Sequence, residues 1–200
     1  MIKPKFIYFD VGNIFNTYDH VFETPAKELG VTANNILSIF EKYEKEISIG
    51  QMDASDLWQK CLQELGVNGD PNYDLGSAWA SDYGLIQEMH ELARTLEQRY
   101  KIGILSNHYI GPFEAALQQG KIPDLKYSSV ITSARVGHKK PGMEIYKIAE
   151  EKSGYRGDSI LFIDDQQKNL DTAKLLGWHT FLYDSKDSDN STAKLAEILL

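Results

Sequence analysis

The 200-residue sequence holds a single cysteine, Cys61. A lone thiol excludes an internal disulfide framework and a thiolate metal cluster, and it agrees with a reducing compartment. It falls in the register Leu57, Cys61, Leu65 along one side of a helix, where a small buried apolar role is expected. Long apolar runs are missing too. The longest are strand-sized, far short of the ~18 residues of a spanning helix. The chain passes from Met1 into a strand without the apolar core of a secretory signal, so a soluble, cytoplasmic protein is expected. Positive charge is scarce: 21 Lys and Arg against 29 Asp and Glu leave −8. No basic cluster offsets that balance, so neither nucleic acid nor a membrane surface is expected as a partner. Internal repeats and low-complexity tracts are absent, and nothing in the pattern specifies an oligomeric state. What is there, 42% hydrophobic and 25% charged residues, suits one globular domain with an insertion or two small domains.

Lys5 to Phe9 is a short aromatic and β-branched run that ends at Asp10 and the turn formers Gly12-Asn13, which predicts a strand entering a loop. The texture then becomes helical from Glu23 to Ser81. Ile36, Phe40, Tyr43 and Ile47 recur at helical spacing, and Asp53 to Asp56 reads as the N-cap of a helix that Gly66 ends. A further helix is expected from Leu85 to Glu97. Strand and helix alternate beyond it: strands at Lys101–Leu105, Ser129–Thr132, Ser159–Ile163 and His179–Tyr183, and helices at Met143–Glu151 and Lys168–Leu176. Asp184 to Thr192 is expected as a polar loop before a C-terminal helix. Near-continuous apolar strands alternating with helices predict an α/β fold with a parallel sheet covered on both faces. A helical insert, residues 17–84, would interrupt a core made of residues 1–16 and 85–200.

Open parallel sheets bind ligands outside the carboxyl ends of their strands. Those ends would deliver Asp10, Ser106-Asn107 and Asp164-Asp165, with Lys140 supplied by the loop after the third strand. Each has an ordinary reading as turn former, helix cap or solvated lysine. Those readings leave unexplained why three carboxylates should meet at one edge. Adjacent carboxylates repel unless they share a cation or a proton, and a hard divalent ion would resolve the repulsion while leaving positions open for a phosphate oxygen. Lys140 and the Ser106 hydroxyl would hold the remaining anionic oxygens.

Asp10-Val11-Gly12-Asn13-Ile14, Leu105-Ser106-Asn107, Gly137-x-x-Lys140-Pro141 with Ile145-Tyr146, and Phe162-Ile163-Asp164-Asp165 with Asn169-Leu170 resemble the four ordered motifs of the haloacid dehalogenase superfamily. The resemblance covers essentially the whole chain. It implies a Rossmannoid three-layer core with a helical cap inserted after the first motif, and a Mg²⁺-dependent phosphatase acting on a small phosphorylated metabolite, sugar phosphates among them. It further implies Asp10 as the nucleophile that forms an aspartyl phosphate. Ser106, Asn107 and Lys140 would bind the transferring group, and Asp10, the Gly12 carbonyl, Asp164 and Asp165 would hold the metal. One position departs from the pattern. Most phosphatases of this superfamily carry a general acid two residues after the nucleophile, and here that residue is Gly12. Asp19, His20 and His138 are the nearby titratable candidates to replace it. Gly12 also raises a 2-haloacid dehalogenase as an alternative, although the carboxylate pair opposes an anionic haloacid; a catalytically retired binding or regulatory protein is a third possibility.

Overall fold

The computed structural model describes residues 4–200; Met1, where the expected core segment begins, lies outside them. The aromatic run forms β1 (Phe6–Phe9), buried along its whole length. Successive side chains point to opposite faces, Phe6 and Tyr8 into one apolar cluster and Ile7 and Phe9 into another. A strand buried on both faces belongs in the middle of a sheet. The chain continues through β2 (Asn16–Thr17), α1 (Glu23–Leu29), α2 (Ala33–Ser48), α3 (Ala54–Leu65), α4 (Leu75–Ser81) and β3 (Gly84–Leu85). It then runs through α5 (Gln87–Glu97), β4 (Lys101–Ser106), α6 (Pro112–Gln118), β5 (Ser129–Thr132), α7 (Ser133–Val136) and α8 (Met143–Ser153). The last elements are β6 (Ile160–Asp164), α9 (Gln167–Leu175), β7 (His179–Leu182) and α10 (Ser188–Leu199).

Among the described residues the main sheet has the order β5-β4-β1-β6-β7, with every neighbouring pair parallel. Helices cover both faces, giving the Rossmannoid α/β arrangement. After β1 the chain builds outward through β4 and β5, then returns to the other side for β6 and β7. That reversal opens a crevice at the carboxyl end of β1. The polar stretch expected as a loop through Thr192 is helical from Ser188 onward. Its polar residues are engaged in packing: the Ser191 hydroxyl accepts from the Asp184 amide at 2.9 Å, and Thr192 hydrogen-bonds the Tyr183 hydroxyl at 3.0 Å. No described helix is long and apolar enough to cross a membrane.

Of the four helices between β2 and β3, α2 reaches the carboxyl edge, where its Glu44 meets Lys139. The two chain passages that lead to these helices pair as a short antiparallel ribbon, Asn16 with Leu85 and Thr17 with Gly84. Asp53 caps α3 reciprocally with Asp56, and Gly66 ends it at φ 63°. Cys61 is fully buried, and burial pushes its thiol up to about 12. At the end of α2 the backbone of Gly50, at φ 74°, presses on α7 so closely that a Cβ would lie 1.9 Å from the Ala134 carbonyl oxygen. Gly50→Ala therefore combines a left-handed backbone with a clash. It should cost about 2 kcal/mol or more in urea unfolding, against about 1 for Gly120→Ala, which has positive φ and open space around it. Equal losses would mean that the contact with α7 yields freely.

Candidate active site

The parallel register places Phe9 beside Ile104 and Ile163, so the residues after these strands emerge side by side. Asp10 follows β1, Ser106 ends β4, and Asp164-Asp165 ends β6. Lys140 enters from the loop before α8 and is buried between two carboxylates, with Nζ 3.0 Å from Asp10 and 2.6 Å from Asp164. Burial alone would pull the ammonium below its usual pKa, but Asp10 and Asp164 outweigh burial and hold it above. Asp164 is fully buried. Both its oxygens lie 3.0 Å from the Asn169 amide nitrogen, and Oδ1 accepts from the Gln166 amide at 2.7 Å. Burial, followed by the charge of Asp10, raises the Asp164 carboxyl above the usual range, and burial likewise raises Asp165.

Oxygens of Asp10, Asp164 and Asp165 lie within 4.8 Å of one another. Three ionised carboxylates against one ammonium leave −2, which one divalent cation would cancel. The donor set is all oxygen and suits a hard ion such as Mg²⁺. Asp165 faces a cavity of about 350 Å³ whose walls include Asp10, Gly12, Ser106, Asn107 and Lys140. Asp164 stands behind that wall. Asn13, at φ 58°, donates to Asp165 at 2.9 Å and so orients the carboxylate. Asn107 holds the Lys140 backbone at both ends, accepting from its N–H at 2.8 Å and donating to its carbonyl at 2.9 Å. All seven residues singled out from the sequence thus meet at this edge.

The candidates for the missing acid do not meet there. Asp19, His20 and His138 are exposed and lie outside the cavity wall, and His20 pairs with Glu23 at 3.0 Å. The space beyond Gly12 is taken by Tyr18: a Cβ on Gly12 would lie 2.6 Å from the Tyr18 ring and 2.7 Å from its hydroxyl. Nothing in the sequence pattern singles out Tyr18, because its placement depends on the ribbon turning it back over the first motif. Glu44 of α2 was equally unmarked. It meets Lys139 at 3.0 Å, joining the helical insert to the core at the cavity mouth.

The two neighbouring lysines should differ sharply. Lys140→Ala leaves buried carboxylates uncompensated and should cost about 3–5 kcal/mol in metal-free buffer, whereas Lys139→Ala, from a half-exposed pair, should cost no more than about 1. Removing the ammonium also raises Asp164 further, so the folded state then binds a proton more tightly than the unfolded chain does. The Lys140→Ala deficit should therefore shrink as the pH falls from about 7 to about 5, measured by denaturant unfolding. A deficit that grows on acidification would contradict this charge arrangement.

Comparison with known proteins places this geometry in context. A sequence model of the haloacid dehalogenase-like hydrolases matches residues 73–183, more than half of the chain. The pig bifunctional epoxide hydrolase 2 is 24% identical over 150 residues, and the match spans 70% of this chain but only 26% of that protein. A predicted haloacid dehalogenase-like hydrolase from Porphyromonas gingivalis superposes with TM-score 0.76 at 20% identity, covering 98% of both chains. A family enzyme from Bacteroides thetaiotaomicron, solved with magnesium and inorganic phosphate, superposes with TM-score 0.75 at 18% identity, over 92% of this chain and 96% of its own. The L-2-haloacid dehalogenase of Xanthobacter autotrophicus, with chloropropionic acid covalently bound, reaches TM-score 0.68 at 17% identity, over 99% and 85%. These structures share the fold, and the sequence match places the chain in the haloacid dehalogenase-like hydrolase family.

Proposed function

We propose that this protein is a Mg²⁺-dependent phosphatase of small phosphorylated metabolites, with Asp10 as nucleophile. The observation that carries this reading is the excess of negative charge at the cavity, where three carboxylates cluster and one lysine pairs with two of them. Asp10 and Asp165, with the Gly12 carbonyl and with Asp164 behind them, would hold the ion. Mg²⁺ in that position supplies the positive charge that lets a carboxylate approach a phosphate dianion. The Asp10 carboxylate attacks phosphorus, the ester P–O bond breaks, and water then attacks the aspartyl phosphate and restores Asp10. Lys140, 3.0 Å from Asp10, holds that carboxylate in place, and the Ser106 hydroxyl at the wall binds a phosphoryl oxygen. The cavity volume and the net charge of −8 favour a small anion over nucleic acid or a membrane surface. The Tyr18 hydroxyl is the protic side chain standing where the usual acid would project.

Gly12 and the likeness to a haloacid dehalogenase favour a second reading, chloride displacement from a 2-haloacid. An anionic haloacid would then face two carboxylates besides the nucleophile, and the charge excess opposes that.

Phosphate release from a panel of phosphomonoesters should require a divalent ion and fall to background on chelation. Asp10→Asn should lower it by at least about a thousandfold while the circular dichroism spectrum of the folded protein is retained. With no carboxylic acid at position 12, aryl and acyl phosphates should react about 10²–10⁴-fold faster than simple alkyl phosphates, and Tyr18→Phe should steepen that dependence. Gly12→Asp can restore the acid only where the Tyr18 ring moves aside, because a Cβ there would lie 2.6 Å from it. Chloride release from 2-chloropropionate without added metal, and no phosphate release, would reverse the assignment.

A further inference from the structure

A second cavity, of about 170 Å³, adjoins the first and shares Tyr18, Asn107 and Tyr109 with it as walls. Its remaining lining comes from the helical insert and its flanks, chiefly Phe22, Phe40 and Trp79, and no charged side chain lines it. The rings brace one another: Trp79 stacks on Tyr109 at 5.1 Å between centroids and 22° between planes, and Phe22 and Phe40 lie 4.6 and 5.2 Å from Trp79. Such a box is built before any ligand arrives. An apolar cavity of about 150 Å³ accepts one benzene molecule, so this one has room for a single six-membered ring.

Resting on the phosphatase reading above, we propose that the substrate is a phosphate monoester whose organic part is one uncharged, largely apolar ring, seated in this aromatic cavity while the phosphoryl group occupies the polar one. The shared walls make the two cavities halves of one site, split by chemistry: carboxylates and lysine on one side, aromatic faces on the other. A hexose fits the aromatic half badly. Each buried sugar hydroxyl without a partner costs about 1–3 kcal/mol. The walls offer few partners: the Tyr18, Tyr83 and Tyr109 hydroxyls stand beside apolar rings and aliphatic side chains, and the Asn107 amide already hydrogen-bonds the Lys140 backbone at both ends. Sugar phosphates, expected among the substrates from the sequence, are therefore disfavoured.

The test uses the full chain with Mg²⁺ and has two independent readouts. Benzyl phosphate and glucose 6-phosphate both release a primary alkoxide, so their kcat/KM ratio reports the organic part and not the leaving group. It should favour benzyl phosphate by about tenfold or more. Calorimetry should show benzylphosphonate binding about tenfold or more tighter than methylphosphonate, with Leu37→Trp, which fills the cavity, removing that advantage. Equal affinities for the two phosphonates in the unaltered protein would overturn the pocket even where phosphate esters are hydrolysed. A retained benzyl advantage without any hydrolysis would uphold the pocket and overturn the phosphatase reading.

Discussion

Burying an ammonium with no partner costs several kcal/mol, and burying a carboxylate alone costs as much. Lys140 escapes that cost only by standing between Asp10 and Asp164, and those two residues close up only because Lys140 is there. The triad joins three chain segments far apart in sequence: the end of β1, the loop before α8, and the end of β6. Asn107, from a fourth segment, clamps the lysine's backbone from both sides. The carboxyl edge of the sheet is thereby locked around one cation. The lock is deliberately incomplete in charge terms, since a third carboxylate, Asp165, is held by Asn13 against the same cluster. What stabilises the lysine also creates the residual negative field that a divalent ion would complete.

The sheet order makes this convergence possible. With β1 central and its neighbours parallel, every strand ends at the same edge, and the change of direction after β5 leaves space there instead of a packed loop. The strands were legible because β1 and β6 are nearly all isoleucine, leucine or aromatic, the others carry shorter apolar runs, and β1, β4 and β6 stop at polar residues. Those polar stops are the candidate site residues Asp10, Ser106 and Asp164, so strand ends and candidate site were read from one signal. Capping residues marked the insert just as clearly, as Asp53 and Gly66 show at the two ends of α3.

Other features were invisible for reasons of geometry. The first turns of α10 are polar in sequence, yet Ser191 and Thr192 are buried and hydrogen-bonded through their side chains, and composition alone assigns such a stretch to a loop. Tyr18 gave no periodic or motif signal, because its position over Gly12 arises from the pairing of β2 with β3, a ribbon of two residues on each side. Proximity in sequence favoured Asp19 and His20 instead. The chain turns those two outward to solvent while turning their neighbour inward, a distinction that one residue of backbone direction decides.

Gly12 shows how one small residue can change both halves of a site. Its missing side chain removes a carboxyl group beside Asp10, and the same empty volume admits the Tyr18 ring. That ring packs 4.8 Å from Tyr83 and forms part of the wall common to the polar and aromatic cavities. A carboxylate at position 12 would exclude the tyrosine from this position. The dividing wall would lose the Tyr18 ring, leaving Asn107 and Tyr109, and the uncharged cavity would gain an acidic neighbour that disfavours apolar occupants. The absence of a carboxyl group at position 12 and the presence of an aromatic cavity beside Asp10 are thus one structural feature, which would tie the chemistry proposed at Asp10 to the kind of molecule proposed for that cavity.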